Sequence, residues 1–380
     1  MLKNKIYKYL SIEIFKNFTI ILLTFTAITW TVKAVNFLEL MINDGFSGEI
    51  YFKYTLLNIF TIITRFVPLA FLLSLIISIT KFERQQELLI LWTVGLNKIK
   101  IANIFFLISC ALVLLQIILG LFVNPYTLNK SRTLLRESQD KQINSILRAS
   151  DFSDTFKSVT FYIDKKNDNN ELINIFIKDN NGSLNTMLNE INNTNDTTIF
   201  AEKGFIENNS LILFNGTIQT LNTKYEIKNI DFKRTVLSLD KFATRTITEP
   251  KIQETSSILL LQCLTNNNSN KILKNCSNDN SKKNVTEALS RRVGMPLYIP
   301  LISTIASFLL IYKKERKNNF IKKYLIFGIG FAVLILAEIL LRYTGFSFLT
   351  FAFYFLLPIF LFISLYLLLI KNMISEKIIR

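Results

Sequence analysis

The sequence predicts an α-helical membrane protein with six transmembrane helices and an inserted, extramembrane all-β domain of jelly-roll-like type. Three observations carry that expectation. Half of the 380 residues are hydrophobic and the mean hydropathy is +0.33, a balance soluble domains rarely show. The apolar residues gather in blocks toward both ends, whereas the middle is polar and rich in Asn. The basic excess sits mostly in short loops beside the apolar runs, and such an excess is first a topology signal.

After Lys3, Lys5 and Lys8, the first apolar run covers 15–38, with Lys33 in its outer third. It is too long for the apolar core of a signal peptide and lacks a small-residue cleavage site, so it reads as an uncleaved span. The second run, 56–79, contains Arg65 and Pro68, and a kink is expected there. The third covers 101–123, and the fourth covers 293–312 with Pro296 and Pro300. The fifth covers 324–341, with Glu338 inside it and Arg342 at its end, and the sixth covers 348–370. Each can cross a hydrocarbon core that takes about 20 helical residues.

Orientation follows from Lys and Arg in the short connections. The N-terminus, the 81–100 loop, the 313–323 loop (Lys313, Lys314, Arg316, Lys317, Lys322, Lys323) and the C-terminal tail are basic. The 39–55 loop has only Lys53, and the 343–347 loop has no basic residue. Both termini are therefore expected in the cytoplasm and the insert outside it. The domain plan is residues 1–123 for three spans with a cytoplasmic loop at 81–100, 124–292 for the β domain, and 293–380 for the last three spans.

Within the insert, 126–148 read as helical and extend the third span. Short alternating runs follow at 158–164, 172–178, 198–202, 210–214, 217–220 and 225–232, separated by Asn, Gly and Asp clusters. Many short strands with turn signals point to a sandwich or jelly roll. The Asn-rich segment 265–284 reads as a disordered loop.

Composition also excludes functions. Of the net charge of +16, residues 124–292 contribute only +4, from 23 basic and 19 acidic side chains. A nucleic-acid binder needs a basic face on a folded soluble domain, and none is evident, so no nucleic acid partner is expected. There is no His, which removes the commonest general base and metal ligand. Cys110 lies in an apolar run, while Cys263 and Cys276 flank the Asn-rich stretch. A zinc site is not expected from these; a Cys263–Cys276 disulfide in an oxidising compartment and two separate thiols both stay open. No G-x-x-x-x-G-K-[ST], G-x-S-x-G, H-E-x-x-H or C-x-x-C occurs. The chain is therefore expected to be no enzyme, with no catalytic residue, metal or cofactor of its own.

The informative residues are charges within apolar runs, which cost roughly 2.5–3.5 kcal/mol at mid-bilayer unless they face a cavity or partner. Lys33, Arg65, Glu338 and Arg342 are such charges. Glu338 and Arg342 are spaced to pair on one helix face, and Lys33 can snorkel. Lys33, Lys53, Arg65 and Arg342 are candidates for contacting an anionic headgroup that enters from the outer leaflet. In the 81–100 loop, Glu83, Arg84 and Glu87 open a short amphipathic helix with Leu88, Leu91 and Trp92 on one face, closed by Gly95. It reads either as an interfacial helix or as a docking element for a cytoplasmic protein.

Several segments together resemble the LptF/LptG family of lipopolysaccharide export permeases. They are Ile6-Tyr-Lys-Tyr-Leu-Ser-Ile-Glu-Ile-Phe, Glu87-Leu-Leu-Ile-Leu-Trp-Thr-Val-Gly95, Ile199-Phe-Ala-Glu-Lys-Gly, Leu211-Ile-Leu-Phe-Asn-Gly-Thr and Ala288-Leu-Ser-Arg-Arg-Val-Gly-Met-Pro. Their order covers nearly the whole chain, and the LptF type is favoured over the LptG type. Trp92, Thr93 and Val94 depart from the small residues usual before the coupling Gly, and 265–284 resembles an insertion. The resemblance implies a multi-pass inner-membrane permease subunit with a periplasmic β-jelly-roll domain. It implies a second related permease and a cytoplasmic ABC ATPase dimer that uses the ATP. It also implies a periplasmic bridge or adaptor protein that receives lipopolysaccharide. Glu87 and Gly95 match the family's coupling motif, and Glu83 and Leu91 complete the candidate ATPase-coupling set. Two other readings are a membrane sensor or mechanotransmission protein without a lipid substrate, and a secondary transporter.

Overall fold

Long apolar runs with few internal breakers become long helices, because only an intact helix satisfies every backbone polar group inside a bilayer. A computed structural model of the chain describes residues 2–42, 46–139, 150–156, 159–167, 171–179, 194–207, 210–222, 227–238, 251–265, 279–311 and 319–378. Among the described residues, six helical stretches are long and apolar enough to cross a membrane: Lys5–Ile42, Gly48–Arg84, Lys98–Ser138, Asn280–Ile311, Ile321–Tyr343 and Phe348–Ile374. Contacts divide the chain into two units. One comprises Met1–Val32, Leu57–Asn129 and Lys251–Arg380; the other comprises Lys33–Leu56 and Lys130–Pro250.

The N-terminal helices are α1 (Leu2–Phe37), α2 (Glu39–Ile42), α3 (Gly48–Leu57), α4 (Ile59–Arg84), α5 (Glu87–Thr93), α6 (Lys98–Ile118) and α7 (Asn124–Gln139). A π-helical segment, Leu119–Val123, joins α6 to α7 without a break. The C-terminal helices are α8 (Ser257–Thr265), α9 (Asp279–Val293), α10 (Tyr298–Ser307), α11 (Asn319–Tyr343) and α12 (Phe348–Ile378). The Asn-rich loop is shorter than the sequence implied, because Asp279 onward is helical; residues 266–278, including Cys276, lie outside the described residues. Cys263 is disulfide-bonded and Cys110 is a free thiol. Lys313, Lys314, Arg316 and Lys317 also lie outside the described residues.

The fourth span is the centre of the bundle: 72% of its apolar window is buried, against 11% for the first and 17% for the sixth. Every residue of α10 except Pro300 is buried. Its hydroxyls return to its own backbone, with Ser303 donating to Pro300 O (2.7 Å), Thr304 to Leu301 O (2.7 Å) and Ser307 to Ser303 O (2.7 Å). Small hydroxyl residues thus allow close helix packing without an unpaired group.

Pro68 and Pro358 lie inside long helices, and each removes an N–H and frees the carbonyl four residues earlier. For Pro68 of α4 that carbonyl is Thr64 O, which accepts from Gln116 Nε2 of α6 at 3.2 Å. For Pro358 of α12 it is Tyr354 O, which accepts from the buried Tyr298 hydroxyl of α10 at 3.1 Å. In both cases a neighbouring helix supplies the missing donor, so α4 and α12 continue through their prolines. Tyr298→Phe keeps the ring and removes the donor, which is expected to destabilise the bundle by about 1–3 kcal/mol. Thermal unfolding in detergent checks this, and an unchanged midpoint would mean the carbonyl finds another partner.

In the second unit the end of α1 meets α3. Tyr51 donates to Ala34 O at 2.8 Å, and Phe37 packs edge-on against Tyr54 at 5.0 Å. The strands are β1 (Asp151–Phe156), β2 (Val159–Lys166), β3 (Leu172–Asp179), β4 (Thr194–Glu207), β5 (Ser210–Asn222) and β6 (Ile227–Ser238). They form one antiparallel sheet in sequence order.

Inward and outward residues alternate along β2 to β5, but in β3, β4 and β5 the parity changes along one line. In β3 the buried residues are Leu172, then Ile175, Ile177 and Asp179; in β4, Thr197, Ile199 and Ala201, then Gly204; in β5, Leu211 and Leu213, then Ile218 and Thr220. The changes fall side by side, since Ile173 pairs with Lys203 and Lys203 with Phe214. Asn174 and Asn215 occupy this line with φ of 52° and 48°, a conformation Asn tolerates better than most residues. The sheet therefore bends there as it would at a row of bulges, and buried residues on both sides form one cluster.

The bend corrects one expectation. Asn215-Gly216 reads as a turn between two short strands, yet both lie inside β5. Gly216 is required because a Cβ there would overlap Phe200 O and lie 2.5 Å from the Phe232 ring.

Candidate functional site

The 81–100 segment is more ordered than a loop. Lys81–Arg84 complete α4 and Lys98–Lys100 begin α6, leaving α5 between them. Gln86, at φ 59°, makes the sharp turn out of α4. Glu87 then stands in the first turn of α5, where a negative charge meets the positive end of the helix dipole. At the other end, Gly95 takes φ 87°. Leu96 N–H donates to Leu91 O at 3.0 Å and Gly95 N–H to Trp92 O at 3.1 Å, the paired bonds of a Schellman motif. An L-residue at Gly95 would strain the backbone although its side chain meets nothing within 4 Å.

This helix has two apolar faces. Leu88 is buried, and Leu91 and Trp92 pack against the bundle core. Leu89, Ile90 and Val94 point outward, at 55%, 56% and 71% exposure. Of the coupling candidates, Leu91 is thus held by the bundle. The outward residues were not singled out from sequence because a seven-residue helix with little polar content shows no clear periodicity.

Polar contacts tie the ends of the element down. Tyr9 donates to Glu87 Oε1 at 3.1 Å, Lys81 pairs with Glu13, and Lys323 of α11 pairs with Glu83 at 2.6 Å. Lys98 lies 4.5 Å over the Trp92 ring. Exposed ion pairs are worth about 0–1 kcal/mol each, so packing of Leu88 and Leu91 holds α5 and the pairs set its orientation. Glu83 and Glu87 therefore each touch a different part of the bundle, α11 and α1.

A second polar group lies between the spans. Arg291 of α9 pairs with Glu338 of α11 at 2.7 Å and lies 3.7 Å from Glu287, one turn earlier on its own helix. The pairing of Glu338 with Arg342 foreseen from their spacing gives way to this one, because a neighbouring helix brings a guanidinium to the carboxylate. Arg65 is exposed and interacts electrostatically with Arg291 and Glu338, and Arg342 is exposed at the end of α11. Lys33 is half-buried, and Lys53 is paired with Glu49 at 2.5 Å. Lys33 and Lys53 belong to the second unit, Arg65 and Arg342 to the first.

Sequence reasoning quoted Arg291 and Arg292 but gave them no role. Arg292 is buried, donating to Ser257 Oγ at 2.6 Å and to Ile252 O, Gln253 O and Thr255 O at 3.4, 3.2 and 3.0 Å. Ser257 in turn donates to Leu121 O of the π-helical segment at 2.8 Å. Consecutive arginines just before an apolar run were the available signal. Among the described residues no group of three or more His, Cys, Asp and Glu could hold a metal ion.

Residues 8–372 match the family described as lipopolysaccharide export system permease LptF/LptG. The chain is also similar to an uncharacterized protein of Rickettsia prowazekii (strain Madrid E), 23% identical over 321 residues that cover 82% of this chain and 84% of the relative.

Proposed function

Because the chain belongs to the LptF/LptG family of lipopolysaccharide export permeases, a multi-pass inner-membrane permease that is not itself an enzyme, we propose that it serves an ATP-driven ABC exporter. In this reading a separate cytoplasmic ATPase dimer uses the ATP, and a second, related permease completes the pathway. The pair extracts lipopolysaccharide from the inner membrane and delivers it, through the periplasmic β domain, to a bridge or adaptor protein. The product supplies outer-membrane biogenesis.

The observation that carries the reading is the two-faced α5. Leu88 and Leu91 bind it to the bundle while Leu89, Ile90 and Val94 stay outside. An apolar patch beside Glu83 and Glu87 suits a protein partner, since interface centres are apolar with polar rims. The basic loops support a cytoplasmic position for this helix and both termini. The first span, least buried of the six, suits contact with the second permease. Lys33, Lys53, Arg65 and Arg342 supply cations for lipid phosphates, with Arg the better fork for that geometry.

Purification of the tagged protein from its native membranes in mild detergent, with mass spectrometry of bound proteins and lipids, tests the proposal. A second LptF/LptG-family permease, an ABC ATPase and lipopolysaccharide are the expected companions. A chain recovered alone, or with a signalling partner and no glycolipid, would overturn it.

A further inference from the structure

The outward face of the β sheet carries a row of aromatic rings. Phe152 pairs with Tyr162, Tyr162 with Phe176 and Phe176 with Phe200. Four consecutive strands thus place four rings in register, on the face opposite the buried cluster. The ring centroids are 4.7 Å apart for Phe152 and Tyr162 and 5.1 Å for Phe176 and Phe200. That step follows from the strand spacing of about 4.7–4.9 Å and is comparable to the length of one hexose ring.

Polar residues run along both sides of this row. On one side, at the bend, Asn174 donates to Asp164 Oδ2 at 3.1 Å and Asn215 to Glu202 Oε2 at 3.3 Å. Each pairing uses one oxygen of the carboxylate. On the other side, Thr198 pairs in register with Lys178 and with Gln219. Cross-strand aromatic pairs add about 0.2–1 kcal/mol each to a sheet, but that role does not require exposed rings. Phe152 is 64% exposed and Phe200 46%.

We infer that this face binds the saccharide portion of lipopolysaccharide, sugar rings stacking on the aromatic row and hydroxyls bonding to the flanking amides and carboxylates. The inference rests on the export reading above. An acyl chain would desolvate these carboxylates and amides beyond the one hydrogen bond that each pair shares, at a cost of about 1–3 kcal/mol per unmet group. A saccharide satisfies them, because each sugar presents C–H faces and rims of hydroxyl donors. The face therefore follows the usual plan of ligand sites, an apolar floor with a few polar groups that fix orientation.

The test uses the full-length protein in detergent and three probes by calorimetry: core oligosaccharide released from lipopolysaccharide by mild acid, chitotetraose, and lipid A. Core oligosaccharide is expected to bind, with affinity falling about tenfold, or 1.4 kcal/mol, in Phe200→Ala. Phe152→Ala, at the outer edge, is expected to act likewise, and Phe200→Trp to retain binding. Melting curves of the variants identify any loss that comes from unfolding. No oligosaccharide binding by the native chain, equal binding by folded Ala variants, or preference for chitotetraose would overturn the inference. Lipid A binding and co-purified lipopolysaccharide are read on the same samples. If they persist without oligosaccharide binding, only this inference fails; if both vanish, the export reading fails with it.

Discussion

Replacing Arg292 by alanine is expected to cost about 2–5 kcal/mol, among the largest effects available to a point substitution in the bundle. The guanidinium makes hydrogen bonds to Ser257 and to three backbone carbonyls at 252, 253 and 255. Hydrogen bonds from a charged group contribute about 1.5–3 kcal/mol each, and acceptors left buried lose more. Through Ser257 the same network reaches Leu121 O in the π-helical segment, where the α6 hydrogen-bond pattern is irregular. The melting midpoint of the purified protein should fall by about 4–20 °C, taking 2–4 °C per kcal/mol. Arg292→Lys keeps the charge but not the planar fork, so it should fall between. Arg291→Ala, whose partners are half-exposed, should cost far less. Equal midpoints for Arg292→Ala and the native protein would mean that the 251–257 turn is held by other contacts.

Introducing aspartates on the outward face of α5 should abolish association with the proposed partner ATPase while leaving the permease in the membrane. Leu89 and Ile90 are more than half exposed, so a charge there leaves the bundle core intact. A Leu or Ile side chain gains about 1.5–3 kcal/mol on full burial. Loss of two such contacts at an interface weakens binding at least about a hundredfold. Co-purification of the ATPase with Leu89→Asp/Ile90→Asp measures this, and retention at the native ratio would rule out that face as the docking surface. Glu87→Ala should weaken association by less, because it removes one charge and its bond from Tyr9. Leu91→Asp is a different experiment: it places a charge against the core and should reduce the amount of folded protein.

The membrane spans were legible because hydropathy is a property of consecutive residues. Twenty apolar residues must form a helix in lipid whatever surrounds them. The closing Gly of α5 was legible for a similar reason, since a left-handed cap is a one-residue requirement. The outward set Leu89, Ile90 and Val94 was not, because both faces of α5 are apolar and only the packing of Leu88 and Leu91 separates them. Nor was the Arg291–Glu338 pair, whose members are 47 positions apart on different helices. The strand breaks were misread at Asn215-Gly216 because a bend shared by neighbouring strands uses the same residues as a turn.

Sequence alone determined the six apolar spans, the β character of the insert, the family, and the absence of a nucleotide-binding loop, because each depends on local composition or on ordered motifs. Tertiary structure alone decided which charges pair, which face of α5 is left outward, how proline-freed carbonyls are satisfied, and that four aromatic rings stand in one row. Each of those depends on which distant residues become neighbours, and a helix or strand by itself leaves that open.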